Sequence, residues 1–173
     1  PFWETRLPLV QTFRFKGQDF TVVNNHLASK TGSAPLYGTE QNSTERQEDP
    51  TVNGDVDLRR AQAQAVRAYI DSHLAFGENV VVLGDFNEFE FISPLAEDLS
   101  DGLENLTLRL KKHERYSYVF DGNSQSLDHI LIGKERHDIG RPNDALSMIH
   151  SRNAGPVTST VSELVEMSTT RPR

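Results

Sequence analysis

Three short stretches of the sequence place a polar side chain at or near the end of an apolar strand. VVNNHL carries His26, VVVLGDFNEF carries Asp85 and Asn87, and SLDHILIG carries Asp128. In layered sheets the ends of such strands converge on one rim, so side chains distant in sequence can meet there. An imidazole, a carboxylate and a carboxamide can together bind an anionic oxygen, move a proton and position water. The sequence therefore predicts a polar site at one edge of a sheet.

Each of these groups also has a plainer structural role. Asp85 follows Gly84 and could cap the turn that ends its strand. His26 could pack at a strand end with its ring bonded to the backbone. Asp128 and its neighbour His129 point to opposite faces of a strand, so only one of them enters the site, and spacing does not choose between them.

The motifs and the composition narrow the chemistry. The sequence has no nucleophile elbow, Walker A motif, dinucleotide fingerprint or H-E-x-x-H motif, so the polar groups favour metal-assisted attack of water on phosphorus. Its 173 residues contain no cysteine, so a metal would need oxygen and imidazole ligands. The net charge of -7 argues against a broad nucleic-acid groove, with the basic stretch 109–115 as the local exception. We expect no membrane span and no signal peptide in the chain.

Hydrophobic periodicity predicts the elements that must position these groups. Alternation over 11–16 and 19–27 predicts a β-hairpin, and residues 30–55 have the composition of a long loop. The helical period over 55–74 predicts a helix with Asp55 as its N-cap and Gly77 as its stop, and with Arg59 facing water. The other predicted elements are a strand over 79–83, a short helix around 94–99, and strands over 116–120 and 126–133 joined by the turn DGNSQ.

These elements predict an α/β layered fold with a mixed sheet. Residues 1–133 form the predicted domain. Residues 134–173 have no dependable period and are predicted to be a divergent, loosely ordered tail.

Three motifs in order carry a family resemblance. NHLASK, GDFNEFE and YSYVFDGNSQSLDHILIG resemble the second half of the endonuclease/exonuclease/phosphatase superfamily, the DNase I-like fold, and especially its secreted bacterial members. The resemblance implies a half or truncated version of the four-layer α/β/β/α sandwich, with a mixed, mostly antiparallel sheet. It also implies phosphoester hydrolysis with Mg²⁺ or Mn²⁺, and a secreted or periplasmic bacterial location.

The resemblance assigns roles residue by residue. It implies that His26 stabilises the scissile phosphate and that Asp85 activates the attacking water and binds the metal. Asn87 would hold phosphate oxygens and join Asp85 as a metal ligand, and Asp128 would orient a histidine from the family's last motif. Three further residues are candidate substrate contacts: Asn25, Tyr116 and Ser117.

Two family features have no match in residues 1–173. These are the asparagine and glutamate metal ligands of the family's first half, and the closing Ser-Asp-His motif. Metal binding would then rest on Asp85 and Asn87, with Glu88 or Glu90 as further acids. One sheet face would be exposed, so we expect a homo-oligomer or a complementary chain.

Three hypotheses follow from the sequence. The first is a metal-dependent phosphatase or nuclease, acting on phosphomonoesters or diesters, DNA or RNA included. The second is a non-catalytic half-domain that self-associates or needs a partner segment to complete the site. The third is an unrelated α/β binding module, in which His26, Asp85 and Asn87 would lie too far apart for a common contact.

Overall fold

The computed structural model describes residues 1–34 and 44–133, and these belong to one compact α/β unit. The predicted tail over 134–173 lies outside the described residues. One long helix, α1, spans Val56–Ala75. Short 3-10 turns cover Thr44–Glu48, Leu106–Arg109 and Lys112–Glu114, and a π-helical turn covers Pro94–Leu99. The strands are β1 Leu9–Phe15, β2 Gln18–His26, β3 Asn79–Asp85, β4 Leu103–Asn105, β5 Tyr118–Phe120, β6 Asn123–Gln125 and β7 Asp128–Gly133.

Five strands form a mixed sheet in the order β1-β2-β3-β7-β4, and β5 pairs with β6 as a separate hairpin. β2 and β3 are parallel, whereas the other pairs of the large sheet are antiparallel. The crossover between β2 and β3 runs through α1, because a parallel pair requires a long connection. The predicted α/β class with a mixed, mostly antiparallel sheet is confirmed.

The two faces of the large sheet differ in burial. One face packs against α1, and its cross-strand row of Val23, Val82 and Leu131 is almost fully buried with Ile70 of the helix. The helix forms as predicted because Val66 and Ile70 repeat at helical spacing and face this core.

The opposite face stays partly open to solvent, and we call it the open face. Val22, Val81 and Ile132 form one row on it and are only half-buried. On the edge strand β1, Leu9 and Phe13 point to the same side and are exposed, with the Phe13 ring stacked on Phe20. A half-exposed apolar sheet face of this kind is the surface that a layered fold normally covers.

The region from 116 to 133 differs from the sequence prediction. It forms three strands instead of two, because Asp121 and Gly122 both adopt positive φ angles, 49° and 76°. A two-residue turn of this kind sends the chain straight back, so the residues NSQ of the predicted turn pair with β5 as β6. The three-residue strand β4 is too short for a periodic pattern, so the sequence does not predict it.

The boundaries of α1 are close to the predicted ones, but one cap works differently. Asp55 precedes the helix with a left-handed φ of 57° and makes no side-chain cap bond, so the predicted N-cap interaction is wrong. At the other end, Gly77 has a φ of 67° and its N–H donates to the carbonyl of Leu74, which ends the helix as expected. None of the helices in the described ranges combines the length and apolarity of a membrane span.

Gly84 is the position where the sheet leaves no room for a side chain. Its φ is 127°, and a Cβ there would lie 2.0 Å from the backbone oxygen of Asn25 on the neighbouring strand. Glycine is therefore required for β2 and β3 to pair at the residue just before Asp85.

Replacement of Gly84 by alanine should lower the free energy of unfolding by more than about 3 kcal/mol, because strain and a backbone clash act together. Gly122→Ala is the matched control: its φ is also positive, but a Cβ there would meet no atom within 4 Å. The control should lose only about 1–2 kcal/mol. Urea denaturation of both variants measures the difference, and equal losses would contradict this account of Gly84.

Candidate active site

The register of three central strands brings three predicted site residues into one row. His26 is the last residue of β2 and pairs with Asp85, the last of β3, which in turn pairs with Asp128, the first of β7. Directly paired residues lie on the same side of a sheet. The Nε2 atom of His26 is 3.5 Å from Oδ2 of Asp85, and their side chains are 44% and 33% exposed. The row lies at one end of the open face, in reach of solvent.

Asn87 is fixed beside this row by two hydrogen bonds. Its backbone N–H donates to Oδ1 of Asp85 at 2.8 Å, and its Nδ2 donates to the carbonyl of Leu27 at 3.1 Å. Its φ of 50° is unusual for a residue with a side chain. Asp85 therefore both closes a turn and faces His26, so the turn-cap role is compatible with the predicted site role.

Asp128 is held by the segment that precedes it. The hydroxyl oxygen of Ser117 accepts the backbone N–H groups of Leu127 and Asp128, at 3.2 and 3.0 Å. Partial burial raises the pKa of the Asp128 carboxyl, and the nearby Asp85 carboxylate raises it further, whereas the Ser117 hydroxyl opposes both effects. Asp128 thus holds a proton more readily than an ordinary aspartate does.

The structure decides between Asp128 and His129. His129 lies on the α1 side of the sheet, where its Nε2–H donates to the carbonyl of Glu88 at 2.9 Å and its Nδ1 accepts from the Asn105 amide at 3.3 Å. Burial lowers the pKa of this imidazole, so it is neutral. The Asp128 side chain therefore lies in the row, and the His129 side chain lies on the opposite, buried face of the sheet.

The three candidate substrate contacts lie in different surroundings. Asn25 is buried on the α1 side, opposite to His26, and its Nδ2 donates to the carbonyls of Val23 and Leu83. Tyr116 is exposed next to Ser117, at the entrance of the β5-β6 hairpin. Contact of these residues with a substrate stays a prediction.

A group of buried charged side chains lies on the α1 side of the row, and the sequence patterns do not predict it. Arg59, predicted to face water, is fully buried and its Nε donates to the equally buried Glu88 at 2.9 Å. Lys30 donates to the same carboxylate at 2.7 Å, and burial lowers the pKa of Lys30 to about 8. The spacing in the sequence indicates this burial, because Arg59 follows Val56 by three positions and precedes Ala63 by four, on the buried stripe of α1. A charged residue on that stripe needed a buried partner.

The donor set at the row fits a hard divalent cation only in part. Carboxylate and carboxamide oxygens of Asp85, Asn87 and Asp128 are the ligand types that Mg²⁺ prefers. Residues 1–34 and 44–133 contain no group of three or more His, Cys, Asp or Glu side chains placed to hold a metal ion. Glu88, considered as a further acid, is already bonded to Lys30 and cannot serve. A cation at the row would keep several waters.

Comparison with known proteins shows which solved structures have a similar fold. No family model matches the chain, and no curated protein matches its sequence. The catalytic domain of human Nocturnin with bound sulfate is similar at 18% identity and a TM-score of 0.50, over 73% of this chain and 41% of that one. Truncated Caenorhabditis elegans TDP2 is similar at 15% identity and a TM-score of 0.48, over 73% and 46%. A Bacteroides thetaiotaomicron mannosyl-6-phosphatase follows at 18% and 0.41, over 69% and 39%.

The likeness to Nocturnin concerns the fold alone. This chain spans about two fifths of the length of that solved chain, 41%. The mixed sheet with α1 on one face is accordingly a truncated version of the DNase I-like α/β fold.

Replacement of Asp128 by asparagine should stabilise the protein at neutral pH. A raised carboxyl pKa contributes stability that is complete below the unfolded-state value, and this contribution is lost as the pH rises through the folded-state value. At pH 7 the charged Asp128 is therefore unfavourable, and Asp128→Asn should gain up to about 1 kcal/mol after solvent screening.

Asp49→Asn is the matched control for this measurement. Bonds from the Thr51 hydroxyl and backbone lower the pKa of Asp49, so its replacement should destabilise the protein at pH 7. Urea unfolding at pH 7 and pH 4 measures both variants. A loss of stability in Asp128→Asn at pH 7 would contradict the assigned direction.

Proposed function

We propose that this protein is a divalent-metal-dependent hydrolase of phosphoesters. The observation that carries the proposal is the row of His26, Asp85 and Asp128 at adjoining strand ends, with the imidazole 3.5 Å from the carboxylate. This closeness disfavours the unrelated binding module, which would keep these groups apart. The DNase I-like fold supports the proposal, as does the sulfate, a tetrahedral anion like phosphate, bound by the similar Nocturnin domain.

The residues of the row and the adjacent Asn87 have different roles in the proposed reaction. Oδ1 of Asp85 accepts the Asn87 N–H, and Oδ2, which faces Nε2 of His26, orients a water molecule and accepts its proton. The water oxygen bonds to phosphorus as the bond from phosphorus to the leaving oxygen breaks. His26 and the amide of Asn87 donate hydrogen bonds to the phosphoryl oxygens. Asp128 completes the row beside Asp85, and the leaving oxygen takes its proton from a water molecule.

The oxygen donors at the row are the reason that the proposal includes a divalent metal ion. Asp85 and Asn87 would hold Mg²⁺ or Mn²⁺, with Asp128 nearby. A bound cation would supply a Lewis acid that stabilises negative charge on the phosphate. Because few protein ligands are available, we expect weak, readily reversible metal binding.

The substrate class remains broad within phosphomonoesters and phosphodiesters. The net charge of -7 disfavours tight binding to long nucleic acids. The exposed Tyr116 and Tyr118 next to Ser117 supply aromatic surface near the row, which favours a substrate with a planar ring, DNA or RNA ends included. A secreted or periplasmic bacterial location also stays a prediction.

A second candidate is a non-catalytic half-domain. The absence of a three-residue acidic or histidine cluster in the described ranges favours it. Such a protein would bind phosphate or metal weakly without turnover.

The purified protein should hydrolyse p-nitrophenyl phosphate or its bis-ester in the presence of Mg²⁺ or Mn²⁺, and EDTA should abolish the activity. Asp85→Ala should lower kcat by about 100-fold or more, because the base for water is lost. Asp71→Ala, an exposed acid on α1, is the control and should keep full activity. Absence of metal-dependent turnover, or an unchanged Asp85→Ala variant, would favour the half-domain.

We also propose that the open face pairs with a second copy or a complementary chain. Its row of Val22, Val81 and Ile132 remains partly exposed, and apolar sheet surface of this kind is normally covered. The exposed rings of Phe13 and Phe15 extend it across the edge strand β1.

Light scattering at micromolar concentration should therefore give a mass above the 19.5 kDa of one chain. Phe13→Lys places a charge on the open face and should shift the mass toward the monomer. Phe76→Lys, just beyond α1, is the control for an exposed aromatic residue and should leave the mass unchanged. A soluble monomeric wild type at this concentration would contradict pairing between copies.

A further inference from the structure

Glu88 follows Asn87 directly and is held at both ends. Its backbone carbonyl accepts the Nε2–H of His129, and its carboxylate is fully buried. An ionised carboxylate is stable inside a protein only when it is paired and fully hydrogen-bonded.

Four donors meet that requirement. Oε1 accepts from Nζ of Lys30 at 2.7 Å and from the backbone N–H of Phe89 at 3.1 Å. Oε2 accepts from Nε of Arg59 and from Nδ2 of Asn53, each at 2.9 Å. We call Lys30, Asn53, Arg59 and Glu88 the buried ion cluster. Its carboxylate has no acceptor position left for an external ligand.

The same cluster holds the segment that follows His26. The guanidinium NH1 of Arg59 donates to the carbonyls of Ala28 and Ser29, at 3.3 and 3.0 Å. Its NH2 group donates to Oδ1 of Asn53 at 2.6 Å. One arginine on α1 therefore ties together the chain after β2 and the chain after β3.

These two chain segments carry the reacting groups. His26 and Leu27 lie at the start of the first, and Asp85 and Asn87 lie at the start of the second. The Nδ2 bond from Asn87 to the Leu27 carbonyl spans the gap between them. Asn87 keeps a φ of 50°, and such a conformation persists only where the surroundings determine it from several sides.

We propose that Glu88 and Arg59 are positioning residues, which fix the distance between His26 and the Asp85–Asn87 pair through the buried ion cluster. The reaction that they serve rests on the proposed function, but their effect on geometry does not. A purely stabilising role is the alternative, because breaking any buried charge pair lowers stability.

Hydrogen exchange at Asn87 separates the two roles. Its backbone N–H donates to Oδ1 of Asp85, so its protection reports the local geometry. Glu88→Gln keeps the shape of the side chain but replaces an acceptor oxygen with a donor. We expect exchange at Asn87 to become at least about 10-fold faster, after correction for the measured global stability.

Ile70→Ala is the matched control for this measurement. Ile70 is fully buried in the α1 core, about three helical turns beyond Arg59. Exchange at Asn87 in this variant should rise only as global stability falls. Equal corrected rates in Glu88→Gln and Ile70→Ala would overturn the proposal.

Lys30→Met decides the matter if Glu88→Gln does not fold. Lys30 is the partly exposed member of the cluster, and its loss leaves the pair of Arg59 and Glu88 intact. It should accelerate Asn87 exchange by a smaller factor, about 3-fold, in the same direction. Unchanged corrected exchange in a folded Lys30→Met would overturn the proposal.

The kinetic effect tests the link to catalysis separately. In active protein, Glu88→Gln should lower kcat by about 10- to 100-fold with little change in KM, because the reacting groups are displaced rather than removed. If the wild type has no turnover, the proposed function fails, while the exchange experiment still decides the positioning role.

Discussion

Gly84 lies where two neighbouring strands approach too closely for a side chain, and the site depends on that approach. A Cβ at this position would lie 2.0 Å from the Asn25 backbone oxygen. The missing side chain lets β2 and β3 stay paired up to their last residues, so His26 and Asp85 end side by side. β7 continues the row with Asp128. The backbone constraint at Gly84 thus positions the side chains of the proposed site.

The two faces of the sheet differ at the end that carries the row. The solvent side carries the partly exposed groups that can meet a ligand, His26 and Asp85. The α1 side carries neutral His129 and the buried ion cluster, which have no direct access to solvent except through the partly exposed Lys30. Reactive groups need exposure, whereas their supports gain strength from burial, where hydrogen bonds to charged groups are stronger.

Much of the fold could be predicted from local sequence patterns. The hairpin, α1 and β3 have clear periodicities, and the order of the three motifs indicated the DNase I-like fold. The sequence also placed Asp85 and Asn87 at a strand end. It could not choose between Asp128 and His129, because alternation gives two faces but does not say which one is buried.

The errors share a physical cause. The sequence predicts an exposed Arg59 because charged side chains are usually exposed, whereas the burial of Arg59 depends on Glu88, which lies far away in sequence. The extra strand β6 depends on the left-handed pair Asp121 and Gly122, a turn signal that also fits a plain loop. Long-range pairing and single backbone conformations are the features that local patterns do not determine.

The proposed function requires that a divalent cation and a phosphoester meet at the row of His26, Asp85 and Asp128. Paramagnetic broadening of backbone amide resonances by Mn²⁺ tests this claim most directly, because broadening falls off steeply with distance from the ion. We expect the resonances of His26, Asp85, Asn87 and Asp128 to broaden first and Asp85→Ala to abolish this effect. Broadening centred elsewhere, or unchanged by Asp85→Ala, would contradict it.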